Sequence, residues 1–207
     1  MANDEQLKLL KQGVGPWNEW RAQNQERRVD LSYADLGNAE LAGANLRGAR
    51  LSRARLHGAR LDGADLREAV LSGAELVAAV LTGANLDRAF LRKAFLRKAE
   101  LKGTILTLTD FMEANLTEAN LSDANLSGAK LRNADLTGAI LTRADLTAAD
   151  LYKADLTGAD LKKANLSRTN FRNADLSQAD FRGANLQSAD FRNADLMAAR
   201  FSEPGVP

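Results

Sequence analysis

The sequence predicts an all-β solenoid behind a short helical cap, and three observations on its 207 residues carry that prediction. From Leu31 to Phe201 every fifth residue is Leu or Phe, 35 sites without a slip: 30 Leu and the aromatics Phe111, Phe171, Phe181, Phe191 and Phe201. Two residues before these, Ala fills 31 of 34 sites, the exceptions being Thr104, Thr109 and Thr169. Eleven of the 15 glycines, Gly43 and Gly183 among them, stand two residues after the Leu or Phe.

A period of five suits neither an amphipathic helix nor a plain strand. At about 100° per residue, five steps would spread the leucines around every side of a helix. In a strand, Ala and the Leu two on share a face, but the next Ala lies three beyond and flips. A two-step strand fragment followed by a corner fits, with glycine supplying the positive φ of a type II turn. A chain turning the same way every five residues winds into a coil, with Leu and Ala inside and three residues outside. Stacked coils at about 4.8 Å complete one another's backbone hydrogen bonds. Each buried Leu or Phe contributes roughly 1.5–3 kcal/mol, largely offset by chain entropy.

Residues 1–29 do not repeat and are predicted to be a helical N-terminal cap. Asn3 or Asp4 caps a first helix carrying Leu7, Leu9 and Leu10 as far as Gly13. Pro16 opens a second, with Trp17 and Trp20 one turn apart. An open solenoid end shows unpaired backbone and leucines to water, so both tryptophans are expected as its plug. The solenoid itself is expected over residues 30–201, and 202–207 as a tail in which Pro204, Gly205 and Pro207 argue against a helix.

Segments such as Ala134-Asp135-Leu136-Thr137-Gly138 and Ala184-Asn185-Leu186-Gln187-Ser188 resemble the A(D/N)LXX unit of pentapeptide-repeat proteins. The stretch from Leu10 to Arg21 is similar to caps that precede some of those repeats. The resemblance implies a right-handed quadrilateral β-helix with four pentapeptides per coil, hence nearly nine coils and a length of about 40 Å. Phe171, Phe181, Phe191 and Phe201 recur every ten residues, which alternates them between opposite faces and stacks each with a Phe one coil away.

The chain offers little for chemistry. It has no Cys, and its one histidine, His57, falls outward just after Leu56, so neither a metal site nor a Ser/His pair is expected. No phosphate loop or nucleophile elbow occurs. The expectation is no enzyme, no cofactor and no metal. The many Asp and Asn that precede a Leu are expected to hydrogen-bond local backbone at the corners. Lys plus Arg total 28 and Asp plus Glu 27, which points away from direct nucleic-acid binding. With no basic leader and no long apolar run, the expected address is cytoplasmic, without a membrane span.

Outward residues 20 apart should stack into surface columns, and two are informative. In the first, Phe90-Leu91-Arg92-Lys93-Ala94 is followed by Phe95-Leu96-Arg97-Lys98-Ala99, placing Phe where Asp or Asn is usual. Val70 falls one coil below Phe90, with Val77, Val80, Ile105, Leu108 and Met112 nearby and Arg50, Arg53, Arg55 and Arg60 beneath. Arg47 to Lys102 holds 12 basic and six acidic residues. This belt reads either as a partner surface or as side chains packed together across coils. The second column is an acidic stripe of Glu118, Asp135, Asp155, Asp175 and Asp195. Some pentapeptide-repeat proteins mimic DNA with such a stripe and bind type II topoisomerases, DNA gyrase among them. Arg132, Arg172 and Arg192 stand three residues before Asp135, Asp175 and Asp195 and are expected to pair with them.

The reading is therefore a non-catalytic interaction scaffold that meets a protein partner of unknown identity at Val70, Val80, Phe90, Arg92, Lys93, Phe95, Arg97 and Lys98. The alternative is a DNA mimic acting on a type II topoisomerase. The family's end-to-end dimers, with a poorly covered last coil, also point to a homodimer through the C-terminal end.

Overall fold

The computed structural model describes residues 2–202. The chain opens with two helices. In α1 (Asp4–Lys11) the N-cap is Asn3, whose side-chain oxygen accepts the Gln6 N–H at 3.0 Å. Asp4 and Glu5 lie at its positive end, and Lys8 and Lys11 at its negative end. The second helix, α2 (Val14–Gln23), begins two residues before the predicted Pro16. First-turn N–H groups have no intrahelical acceptor, so Pro16 is accommodated there without losing a bond.

Beyond the helices one pairing rule holds throughout. The residue preceding each Leu or Phe bridges in parallel to the residue 20 further on, from Asp30↔Arg50 to Asp180↔Arg200. Twenty residues per turn in units of five make four faces, a quadrilateral β-helix. The first face carries Asp30, Arg50, Val70 and Phe90, and the second Asp35, Arg55, Glu75 and Phe95. The third carries Glu40, Arg60, Val80 and Glu100, and the fourth Asn45, Asp65, Asn85 and Ile105. Leu31 N–H donates to Arg50 O at 2.7 Å, and Arg50 N–H back to Val29 O at 2.9 Å.

Each corner is a β-turn closed by a bond such as Ala34 N–H to Leu31 O, 3.1 Å. The second turn residue always has positive φ, as type II requires. Among the described residues that includes all 23 non-glycine residues of positive φ, Ala148 (φ 57°) and Leu108 (φ 55°) among them. Non-glycine residues resist this conformation by roughly 1–2 kcal/mol each, so coil stacking, not local preference, holds most corners.

The core is a column of leucines between alanines, nearly all fully buried. Thr104, Thr109 and Thr169 replace alanine and are buried too, their hydroxyls donating to the carbonyls of Leu101, Leu86 and Leu146. Phe171 stacks on Phe191 and Phe181 on Phe201, each at 5.1 Å between ring centres, as the ten-residue spacing predicts.

The cap meets the first coil edge-on. Trp17, fully buried and 5.3 Å from Trp20, donates its indole N–H to Asn45 O. Asn18 donates to Gly43 O and accepts from Asn45 N–H, while Arg21 donates to Arg47 O. Gln6 accepts from Asp30 N–H. Side chains thus occupy hydrogen-bond positions that a preceding coil would fill. At the other end the inward Leu196 and Phe201 remain 37% and 45% exposed. Of the expected tail, residues 203–207 lie outside the described residues.

Candidate functional site

The polar corners set the standard against which the belt departs. The outward Asp or Asn before an inward Leu accepts the backbone N–H two residues on: Thr117 to Asn115, Thr137 to Asp135, Thr157 to Asp155, Ser177 to Asp175, all at 2.9–3.0 Å. A phenyl ring cannot accept this bond, so the N–H of Arg92 and Arg97 lacks it. Yet Phe90 and Phe95 stay 46% and 51% exposed. Two corners therefore forgo a hydrogen bond without gaining full burial.

Phe90 projects from the first face above the half-buried Val70, and Phe95 from the second above Glu75. Lys93 (φ 58°) occupies the corner between them and Lys98 (φ 58°) the next. Half-buried Met112 follows on the first face one coil up, and Leu108, 50% exposed, occupies the corner leading into it. Leu108 Cδ2 passes 2.8 Å from where a Cβ on Gly128 would be, so the glycine above makes room for it. Val80 is not brought together with Phe90. It stands on the third face between Arg60 and Glu100, two corners away, because ten residues are half a coil.

The belt's cations are incompletely matched. Arg92 and Lys93 share the single carboxylate of Glu113, at 3.7 and 3.2 Å, and Lys98 reaches Glu118 at 3.4 Å. Arg97 has no ion pair among the described residues. All these pairs are exposed, worth a few tenths of a kcal/mol. Beneath the belt, Arg55 pairs with Asp35 at 2.6 Å and Arg60 with Asp62 at 3.4 Å, while Arg53 leans over the Tyr33 ring at 5.9 Å.

The acidic column corrects an expectation. Arg132, Arg172 and Arg192 do not pair with Asp135, Asp175 and Asp195. Arg192 forks onto Asp190 at 2.6 Å, and Arg132 approaches Asp150 at 3.8 Å and covers the Tyr152 ring at 4.7 Å. Arg172 forms no ion pair among the described residues. Each arginine follows the first face, where Arg192 meets Asp190 on its own strand fragment and Arg132 meets Asp150 one coil on; the acid three residues on lies around the corner. Asp135, Asp155, Asp175 and Asp195 therefore stack in one bridged column without an ion-pair partner among the described residues, whereas Glu118, expected with them, occupies a corner outside it and pairs with Lys98.

Hydrogen bonds favour the ionised form of two of these aspartates. Burial pushes Asp135 up, but the Thr137 N–H and the hydroxyls of Thr137 and Thr117 more than offset it and hold the carboxyl below its usual range. The Ser177 hydroxyl and N–H lower Asp175. Beside the column, the Arg192 guanidinium lowers Asp190 to about 2.

Sequence reasoning passed over Tyr33, Ile140 and Met197, which are 58%, 42% and 66% exposed. Their signal was available: a large apolar side chain at an outward position of a mostly polar column. No helix among the described residues is long and apolar enough to cross a membrane.

The model of the family described as pentapeptide repeats (8 copies) matches residues 27–63, 59–97, 96–133, 129–168 and 164–202. Among solved structures, HetL from the cyanobacterium Nostoc sp. strain PCC 7120 is similar, a pentapeptide repeat protein involved in heterocyst differentiation regulation. It is 34% identical over 94% of this chain and 99% of its own, with a TM-score of 0.50. QnrB1, a plasmid-mediated fluoroquinolone resistance protein, is 20% identical over 86% of this chain and 83% of its own, TM-score 0.57, a likeness of fold. No curated protein matches the sequence.

Proposed function

The chain belongs to the pentapeptide-repeat family of right-handed quadrilateral β-helices, and from that premise we propose that it is a non-catalytic scaffold that binds another protein through its apolar-basic belt. One observation supports this above others: Phe90 and Phe95 replace hydrogen-bonding residues yet leave about half of each ring in water. A fold selected for stability alone would keep Asn or Asp there. The discriminating variant is Phe90→Asn with Phe95→Asn, which returns both corners to the repeat consensus. It should melt no lower than the parent and lose partner capture from lysate. Undiminished capture, or a lowered melting temperature from lost packing against Val70, overturns the reading.

A second reading has its own support. The unpaired column Asp135, Asp155, Asp175 and Asp195 suits a DNA mimic that binds a type II topoisomerase. Gyrase supercoiling in the presence of the chain tests it. The effect should disappear when the four aspartates become asparagine, which keeps the corner bonds and removes the charge. No effect of the parent chain ends this reading. The exposed last coil, with Leu196 and Phe201, supports self-association at that end. Light scattering should then show a dimer that Phe201→Asp dissociates; a monomeric parent refutes it.

A further inference from the structure

We propose that the partner element received by the belt is an amphipathic helix with carboxylates beside its apolar stripe. This rests on the reading of the belt as a protein interface and specifies what fits it. The belt lies in mid-solenoid, where the backbone is closed on both sides. Phe90 N–H donates to Ala69 O at 2.9 Å, Leu71 N–H to Phe90 O at 2.7 Å, and Leu91 N–H to Asp110 O at 2.7 Å. No strand can be added there, so recognition falls to side chains.

Those side chains ask for acid and aliphatic groups together. Arg97 has no carboxylate partner among the described residues, and Arg92 with Lys93 shares one. Arg47 to Lys102 holds 12 basic against six acidic residues, so the deficit is regional as well as local. Around the rings the apolar surface is Val70 beneath Phe90, Val77 beneath Arg97 and Met112 above Arg92, which pack aliphatic side chains better than nucleic-acid bases. A helix laid along the solenoid axis matches the spacing. Its turns recur every 5.4 Å or so, near the coil repeat of about 4.8 Å. Apolar residues at i, i+3 and i+4 can then follow the Val70–Phe90 column, with carboxylates toward Arg92, Lys93 and Arg97.

The test is selection from a displayed library of helical peptides with randomised charge and apolar positions, using the full chain as bait. Clones that bind the parent but not Phe90→Asn/Phe95→Asn should be net acidic with an i, i+3, i+4 apolar stripe. Their affinity should fall about tenfold or more when Arg92, Lys93, Arg97 and Lys98 become Gln. Basic or neutral clones overturn the proposal, as does a library yielding none that depend on the two rings. Phosphatidylserine vesicles or a single-stranded oligonucleotide bound through these residues, without acidic clones, overturn it in favour of lipid or nucleic acid. Lysate capture that needs both rings while the selected peptides are not acidic leaves the interface standing and removes only the helix. If neither depends on the rings, both fail.

Discussion

Among individual residues the corners hold the most adjustable free energy. Ala148 and Ala78 adopt positive φ (57° and 54°) where many coils use glycine. Ala148→Gly removes Cβ strain and increases unfolded-chain entropy, two opposed effects whose balance favours glycine by about 0.5–1 kcal/mol. Gly158→Ala, at φ 67°, should lose about 1 kcal/mol or more, although the space above that Cα is open. Urea titration of the two variants checks the opposite signs; equal shifts would mean that stacking, not φ, sets corner stability. Phe90→Asn should add about 0.5–1.5 kcal/mol by restoring the corner bond to Arg92 N–H. That value separates a functional ring from a packing one in a single melt.

Taken element by element, the cap and the aspartate column make distinct predictions. Trp17→Ala opens a cavity and abandons the Asn45 carbonyl, for a loss of about 3–5 kcal/mol if the solenoid unfolds as one unit. Hydrogen exchange should then accelerate first at Asn45 and Arg50, with mid-solenoid amides less affected; uniform acceleration would show the coils to be fully cooperative. The column Asp135 and Asp175 have carboxyls held below their usual range by hydrogen bonds. Their contribution is therefore complete above the unfolded carboxyl range, about pH 4, and is lost as pH falls through the depressed folded values. A melting temperature flat from neutral pH to about pH 5 and falling below about pH 4 is expected. Because the stacked charges have no cation between them, Asp155→Asn should stabilise slightly, and less so in high salt. The sequence made the fold legible because every fifth position is unambiguous, so the register of the corners can be read even where stacking rather than local preference holds them. It did not reveal the ion pairs. Asp135 is the acid nearest to Arg132 in sequence, but a corner separates them, and Arg132 approaches Asp150 one coil on instead. The α2 start was misplaced by two residues because Pro16 is tolerated anywhere in a first turn.

For the molecule as a whole, the 20-residue bridge register has a consequence for how such a surface can be rearranged. Inward positions are nearly interchangeable leucines, so the core scarcely distinguishes one face from the next; only the outward residues do. Removing residues 114–133 takes out one full coil and leaves Asp135 on the face of Phe95, one level closer to it. Removing only 119–123 takes out a quarter coil and carries every later column around one corner, so that Asp135 comes to stand above Phe90 instead. Both shortened chains should fold with similar circular dichroism, while collapse of the quarter-coil deletion alone would show that core layers are individually fitted. Length, counted in fives, thus acts as an angular coordinate: a deletion too small to change the core rotates the acidic half of the rod by 90° against its basic half, and converts one binding surface into another without altering a single side chain that remains.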